Sequence, residues 1–320
     1  MESGESMVSS ESASREGTEF CVGDYLELLR PSQWVKNVVV FAGPAAALKI
    51  LEPAAFARSA YAFLAFCLAA SATYAINDTL DRKADARHPT KCMRPVARGA
   101  ISPTAATFLA AMLLVLSLLI AYVSVNAAVA GIVAAYFVLT LTYSLALKQR
   151  ILLDVIIIAT GFVLRAWAGS AAVGVPTSQW LVACMFTLCL FLGFGKRRCE
   201  ITMIGNAEEA GKHRKILLRY TPDLLNHLIS VSAGIAILAF LLYTLDKTHT
   251  SPFRKDLLFY TLPIVVYGVF RYAMLTETGA YSGPTAIILK DTGMRISIGL
   301  WAVAALVIAY ETPLRRVFGF

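Results

Sequence analysis

The sequence predicts an all-α fold, a polytopic bundle of membrane-crossing helices, and three observations carry that expectation. Of 320 residues, 58% are hydrophobic and 16% charged, where soluble domains hold about 25% charged residues. Mean hydropathy is +0.64. Apolar runs of roughly 17–23 residues recur along the chain with hardly a charge inside them, the length that crosses a hydrocarbon layer of about 30 Å.

Taken in order, the runs begin near Trp34, Phe56, Thr104, Asn126, Ile151, Gln179, Asp223, Leu257 and Arg295, which gives about nine transmembrane helices. Pro44 interrupts the first and the polar stretch 291–294 flanks the last, so a count of eight stays open. Ahead of them, residues 1–24 begin with a Ser- and Glu-rich stretch that has neither a basic leader nor an apolar core. They read as a disordered cytoplasmic tail, and 25–320 as one transmembrane domain. The cysteines lack C-x-x-C pairs and the histidines lack zinc spacing, so neither a disulfide framework nor a zinc site is expected.

With the N-terminus inside, the inner loops collect most of the lysines and arginines. The outer segments hold Lys49, Arg58, Lys247, Arg254, Lys255, Arg315 and Arg316. The positive-inside rule therefore puts the N-terminus and the active site on the cytoplasmic side; the expected location of this multi-pass protein is the plasma (inner) membrane. That topology accounts for most of the net charge of +8. Nucleic acid is not expected as a partner, because the cations sit in short loops without aromatic interleaving.

The chemistry concentrates where the second run ends, in Asn77-Asp78-Thr79-Leu80-Asp81-Arg82-Lys83-Ala84-Asp85, an N-D-x-x-D-x-x-x-D pattern. On a continuing helix Asn77, Asp81 and Asp85 fall at i, i+4 and i+8, with Asp78 beside them. Crowded carboxylates with no base interleaved on their face make sense when a hard cation such as Mg²⁺ neutralises them, and Mg²⁺ favours carboxylates plus substrate phosphates. The bland alternative is a solvated helix end with Arg82 and Lys83 in surface pairs. The polar stretch that follows, 87–102, is long for a connection between spans, and such loops are usually functional.

This element, followed by the R-P-x-x-x-G-x-I-S pattern that starts at Arg94, resembles the signature of the UbiA superfamily of intramembrane transferases, helical bundles around a central cavity open to cytoplasm and lipid. R-P-S-Q-W-V-K-N at Arg30 to Asn37, H-P-T-K at His88 to Lys91 and G-K-R-x-x-E at Gly195 to Glu200 are similar to the decaprenyl-phosphate phosphoribosyltransferase branch. The resemblance implies transfer of 5-phosphoribosyl from phosphoribosyl diphosphate to a polyprenyl (decaprenyl-type) phosphate, with Mg²⁺ as cofactor and diphosphate released. Asp78, Asp81 and Asp85 become the expected catalytic acids, and with Asn77 the metal ligands. It also implies inversion at C1 without a catalytic histidine, because the acceptor phosphate is already ionised.

Where other members of that superfamily carry a second aspartate-rich motif, this chain has Lys196-Arg197-Arg198-Cys199-Glu200. One acid remains, and the basic loop suits an extra phosphate, with positive-inside anchoring as the plain alternative. Tyr143, Lys148 and Asp154 lie around the next inner loop. Lys148 and Arg150 read equally as interface anchors, whereas a carboxylate at the start of an apolar run needs a partner or a cavity. Arg165 stands ~16 Å along the helix from Asp154, so it either neutralises another helix or touches substrate. Trp34 reads as a headgroup-level anchor. The expected substrate contacts are thus Lys36, Asn37, Lys91, Arg94, Tyr143, Lys148, Asp154, Lys196, Arg197 and Glu200. Two other functions compete: a prenyltransferase with a polyprenyl diphosphate donor and an aromatic or other small acceptor, and a transporter in which Asp154 and Arg165 mark an ion path. A homo-oligomer is left open.

Overall fold

The computed structural model describes residues 22–88, 90–204, 215–246 and 254–318. All regular structure among them is helical. Residues 1–21 of the expected tail, Pro89, Lys212, Arg214 and Lys247 lie outside the described residues.

A short α1 (Val22–Leu29) leads into a 3-10 segment (Pro31–Phe41) and α2 (Ala42–Ala46). Then come α3 (Pro53–Leu80), α4 (Arg82–Asp85), α5 (Pro103–Ile120), α6 (Ala127–Thr142), α7 (Leu153–Ala172), α8 (Gln179–Ile204) and α9 (Pro222–Leu245). The chain closes with α10 (Leu262–Glu277), α11 (Pro284–Lys290) and α12 (Thr292–Phe318). Prolines open α3, α5, α9 and α11, where a missing N–H costs nothing. Ser102, Asn126 and Thr221 cap α5, α6 and α9 by accepting from Ala105, Val129 and Leu224 N–H groups.

Among the described residues, 8 helices are long and apolar enough to cross a membrane. The first of the nine expected runs is not among them: Pro31 opens a 3-10 stretch and Gly43-Pro44 sits in α2, a helix of 5 residues. The segment is nevertheless packed into the bundle against α3 and α7. A Cβ on Gly169 would fall 1.7 Å from the Val40 carbonyl oxygen, and one on Gly43 2.2 Å from Ser170 Oγ. Only glycine lets these backbones approach so closely, which is how helices in lipid gain packing without a hydrophobic drive between them.

Three apolar clusters form the interior. One joins α8 to α12 through Phe191, Tyr220, Tyr272 and Met294. A second joins the 3-10 segment to α3, α6 and α7 through Val40, Phe66, Tyr136 and Ala168. The third ties α1, α3 and α5 to the polar loop through Leu28, Val96, Ile101 and Leu113. Phe108, Val115, Leu119 and Val123 point outward and exposed, the expected dress of a lipid-facing helix.

Candidate active site

α3 delivers its acids at the end of a long apolar helix, and the chain keeps helical hydrogen bonding across the motif, from Asp81 N to the Asn77 carbonyl and from Asp85 N to that of Asp81. Asp78 and Asp85 are buried and Asp81 is half-buried. Bases from three other segments meet them. Arg30 donates to Asp78 Oδ1 at 2.5 Å, from a backbone held at φ 52. Such a left-handed non-glycine residue is strained, and strain of this kind gathers at functional sites. Arg94 Nη1 bridges two acids, at 3.2 Å from Asp78 Oδ1 and 2.6 Å from Asp85 Oδ2. Lys148 Nζ grips both oxygens of Asp81, at 2.7 and 2.8 Å.

Lys148 owes its position to a π-helical turn over Tyr143–Leu147, closed by the bond from Lys148 N to the Tyr143 carbonyl. Wide turns of this kind are rare and often functional. The expected acid face free of bases is therefore corrected: no base interleaves along α3 itself, but Arg30, Arg94 and Lys148 arrive from elsewhere. Every carboxylate in the motif has a cationic partner.

A second cluster lies between α7 and α8. Asp154 is fully buried and accepts from Arg197 Nε at 2.9 Å and from Tyr220 Oη at 2.7 Å. Arg197 also donates to Glu200 Oε2 at 2.7 Å, while Lys196 reaches Glu200 Oε1 at 3.9 Å. Tyr220 in turn accepts from Leu152 N at 2.9 Å, at another strained residue, φ 66. Burial and the Asp154 carboxylate raise the Tyr220 phenol well above its ordinary pKa, so it stays a donor.

Deeper along α7, Arg165 is buried and holds Asn37 Oδ1 through Nε at 2.7 Å. Asn37 spends its amide nitrogen on Cys67 Sγ at 3.3 Å. Lys36, its neighbour, is exposed. Lys91 is half-buried, and its backbone N–H donates to His88 Nδ1 at 3.4 Å. Tyr143 is half-buried. Trp34 is more than a headgroup anchor, because its Nε1 donates to Ser71 Oγ at 3.0 Å.

Most of the expected residues thus fall into three groups: the acids at the end of α3 with Arg94 and Lys148; Asp154 with Arg197, Glu200 and Lys196; and Asn37 on Arg165. Sequence reasoning missed Tyr220 and Tyr136, which no spacing or motif announces.

A family model described as the UbiA prenyltransferase family matches residues 38–278. The chain belongs to this family. A decaprenyl-phosphate phosphoribosyltransferase of Mycolicibacterium smegmatis is 34% identical over 291 residues, covering 88% of this chain and 90% of that protein. One of Corynebacterium glutamicum is 32% identical over 294 residues, covering 90% and 87%. Among solved structures, a UbiA homolog from Archaeoglobus fulgidus bound to GPP and Mg2+ matches with a TM-score of 0.66 and 19% identity, over 91% of this chain and 98% of that one. At that identity the likeness shows the UbiA fold alone.

Whether this UbiA-family site suits a divalent cation can be judged from its own donors. Among the described residues, no group of three or more His, Cys, Asp or Glu side chains is arranged to hold a metal. The donor set is nonetheless of the right kind, hard oxygens on one helix end. Asp78 and Asp85 already turn one oxygen each toward a single positive group, Arg94 Nη1. The residues fit a cation there, with Arg94 as the charge now filling that place.

Proposed function

We propose that this UbiA-family membrane protein transfers a 5-phosphoribosyl group from phosphoribosyl diphosphate to the phosphate of a polyprenyl lipid. The acceptor oxygen attacks C1 of the ribose, and the C1–O bond to diphosphate breaks with its electron pair leaving on diphosphate. What carries the reading is that two relatives named for this activity align over 88–90% of the chain. The arrangement of charge supports it, since acids and bases alternate around the end of α3 as a polyphosphate with a counter-ion requires.

In this reading Asn77, Asp78, Asp81 and Asp85 would hold Mg²⁺, which when bound would supply charge neutralisation for the diphosphate leaving group. Arg30, Arg94 and Lys148 exchange their carboxylates for diphosphate oxygens. Lys91 and Lys196 extend the positive rim for the remaining phosphate. The buried Asp154–Arg197–Glu200 cluster, locked by Tyr220, fixes α7 against α8 behind them. A lipid phosphate is ionised at neutral pH, so no side chain need remove a proton. The acid-rich end faces the cytoplasm of the plasma membrane, on the positive-inside argument.

The test is donor choice. Purified full-length protein with Mg²⁺ and decaprenyl phosphate should label the lipid from phosphoribosyl diphosphate and leave prenyl diphosphates untouched. Product from a prenyl diphosphate and an aromatic acceptor, with none from phosphoribosyl diphosphate, would replace this reading with the prenyltransferase one.

A further inference from the structure

Arg165 is 7% exposed, and among the described residues its partners are all neutral. Nε donates to Asn37 Oδ1, Nη1 to the Gly161 carbonyl and Nη2 to Tyr136 Oη. Rings of Tyr136, Phe162 and Phe66 lie 4.5, 5.1 and 6.0 Å from its Cζ. A guanidinium carries five N–H donors, so one on each Nη is left over. Arg197 on the adjoining helix shows the alternative, with two carboxylates on one guanidinium. An arginine at membrane depth without an acid is costly, and such residues mark substrate paths.

Lys36 sharpens the imbalance. The charges that act on it are Lys196, Arg165 and Arg30, all positive, and it forms no ion pair among the described residues. Arg30 has Asp78 and Lys196 has Glu200, whereas Lys36 and Arg165 have nothing anionic among the described residues. Two cations that act on each other, one buried and one at the surface beside it, with no acid of their own among the described residues, call for an anion.

We propose that Lys36 and Arg165 hold the phosphate of the lipid acceptor. The identity of that lipid rests on the phosphoribosyl-transfer reading; the anion site does not. The donor's 5-phosphate has the same chemistry, that of a phosphate monoester, but depth argues for the lipid. Arg165 lies eleven residues, ~16 Å, along α7 from Asp154, away from the end where the acids gather.

The experiment compares wild type, Lys36→Met, Arg165→Lys and Arg165→Gln as purified full-length protein. It measures binding of decaprenyl phosphate and of uncharged decaprenol without donor, and KM for each substrate. Lys36→Met tests the idea even if Arg165→Gln does not fold, because Lys36 is exposed and holds no ion pair among the described residues. The expected result is about tenfold weaker decaprenyl phosphate binding in Lys36→Met and Arg165→Gln, with partial recovery in Arg165→Lys. Decaprenol binding and the KM for phosphoribosyl diphosphate should stay within about twofold.

A rise in the donor's KM with lipid binding intact would overturn the proposal and give the site to the 5-phosphate. Equal binding of decaprenol and decaprenyl phosphate by wild type would overturn it as well. Lys36-dependent lipid phosphate binding without turnover of phosphoribosyl diphosphate would sink the functional reading and leave the anion site standing.

Discussion

At the end of α3, Asp81 keeps 38% of its side chain exposed and pairs with a Lys148 that is itself 31% exposed, whereas on α7 Asp154 is fully buried against an Arg197 that is 3% exposed. Both are carboxylates held by bases from another helix, yet their surroundings give them opposite behaviour. Water reaches the first pair and screens it, so separating its charges costs little and another anion or cation can take either partner. The second pair has already given up its hydration. Parting it leaves a bare charge in a low-dielectric setting, which costs several kcal/mol, so it acts as a fixed post. Exposure separates Asp81 from Asp154. Asp78 and Asp85 are buried like Asp154, but the bases they hold, Arg30 and Arg94, keep about a quarter of their side chains open to exchange, which Arg197 does not.

The sharpest way to break this comparison is to remove an acid from the open cluster. Asp81→Ala should lower turnover by about 10³-fold or more, because it strips charge where the leaving group is neutralised. Its thermal midpoint should move by only a few degrees, since the Lys148 amine it frees can be rehydrated. Chelation of divalent cations should match that loss in wild type, with recovery on adding Mg²⁺. Full turnover of Asp81→Ala, or of wild type in chelator, would refute the exchangeable role given to this cluster.

The buried cluster should answer in the other currency. Arg197→Met leaves Asp154 without its cation and should cost about 3–5 kcal/mol of stability, read as a fall in unfolding midpoint in detergent. The double variant Asp154→Leu/Arg197→Met should regain part of that loss, because no charge is then left unanswered. If Arg197→Met instead unfolds like wild type and raises KM for the donor, Arg197 belongs with the substrate contacts and the contrast with Asp81 disappears.

How far this division was readable from sequence depends on whether its signals lie close together in the chain. Asn77 to Asp85 is one contiguous stretch, so helix periodicity brings its acids together without tertiary knowledge. The long apolar runs are equally local, and Pro44 marked the first as the one that does not form a continuous helix. The partners are different. Arg30 reaches Asp78 across 48 residues, Lys148 reaches Asp81 across 67, and Tyr220 reaches Asp154 across 66. No period links such positions, so the acid face lacks bases along α3 but not in space. Arg165 stands out in the sequence by its charge in an apolar run, but its neutral partners, Tyr136 among them, come together only through packing.

The smallest expected effect tests the buried cluster at its edge. Tyr220→Phe removes one hydrogen bond to Asp154 and an acceptor for Leu152 N–H while keeping the ring that packs in the core, so about 1–3 kcal/mol should be lost near neutral pH. Its pH dependence carries the argument further. Burial and Asp154 raise the folded phenol above its ordinary pKa of about 10, so near neutral pH the proton is bound in both the folded and the unfolded states. Above about pH 10 the unfolded chain releases it first, and wild type loses this contribution as pH rises toward the folded value. Phenylalanine has no proton to lose. The stability gap between wild type and Tyr220→Phe should therefore be constant from pH 7 to 9 and narrow above about 10. A gap that widens with pH would mean that the ionised phenolate is favoured there, by Arg197 rather than opposed by Asp154, and the cluster would be an exchangeable one after all.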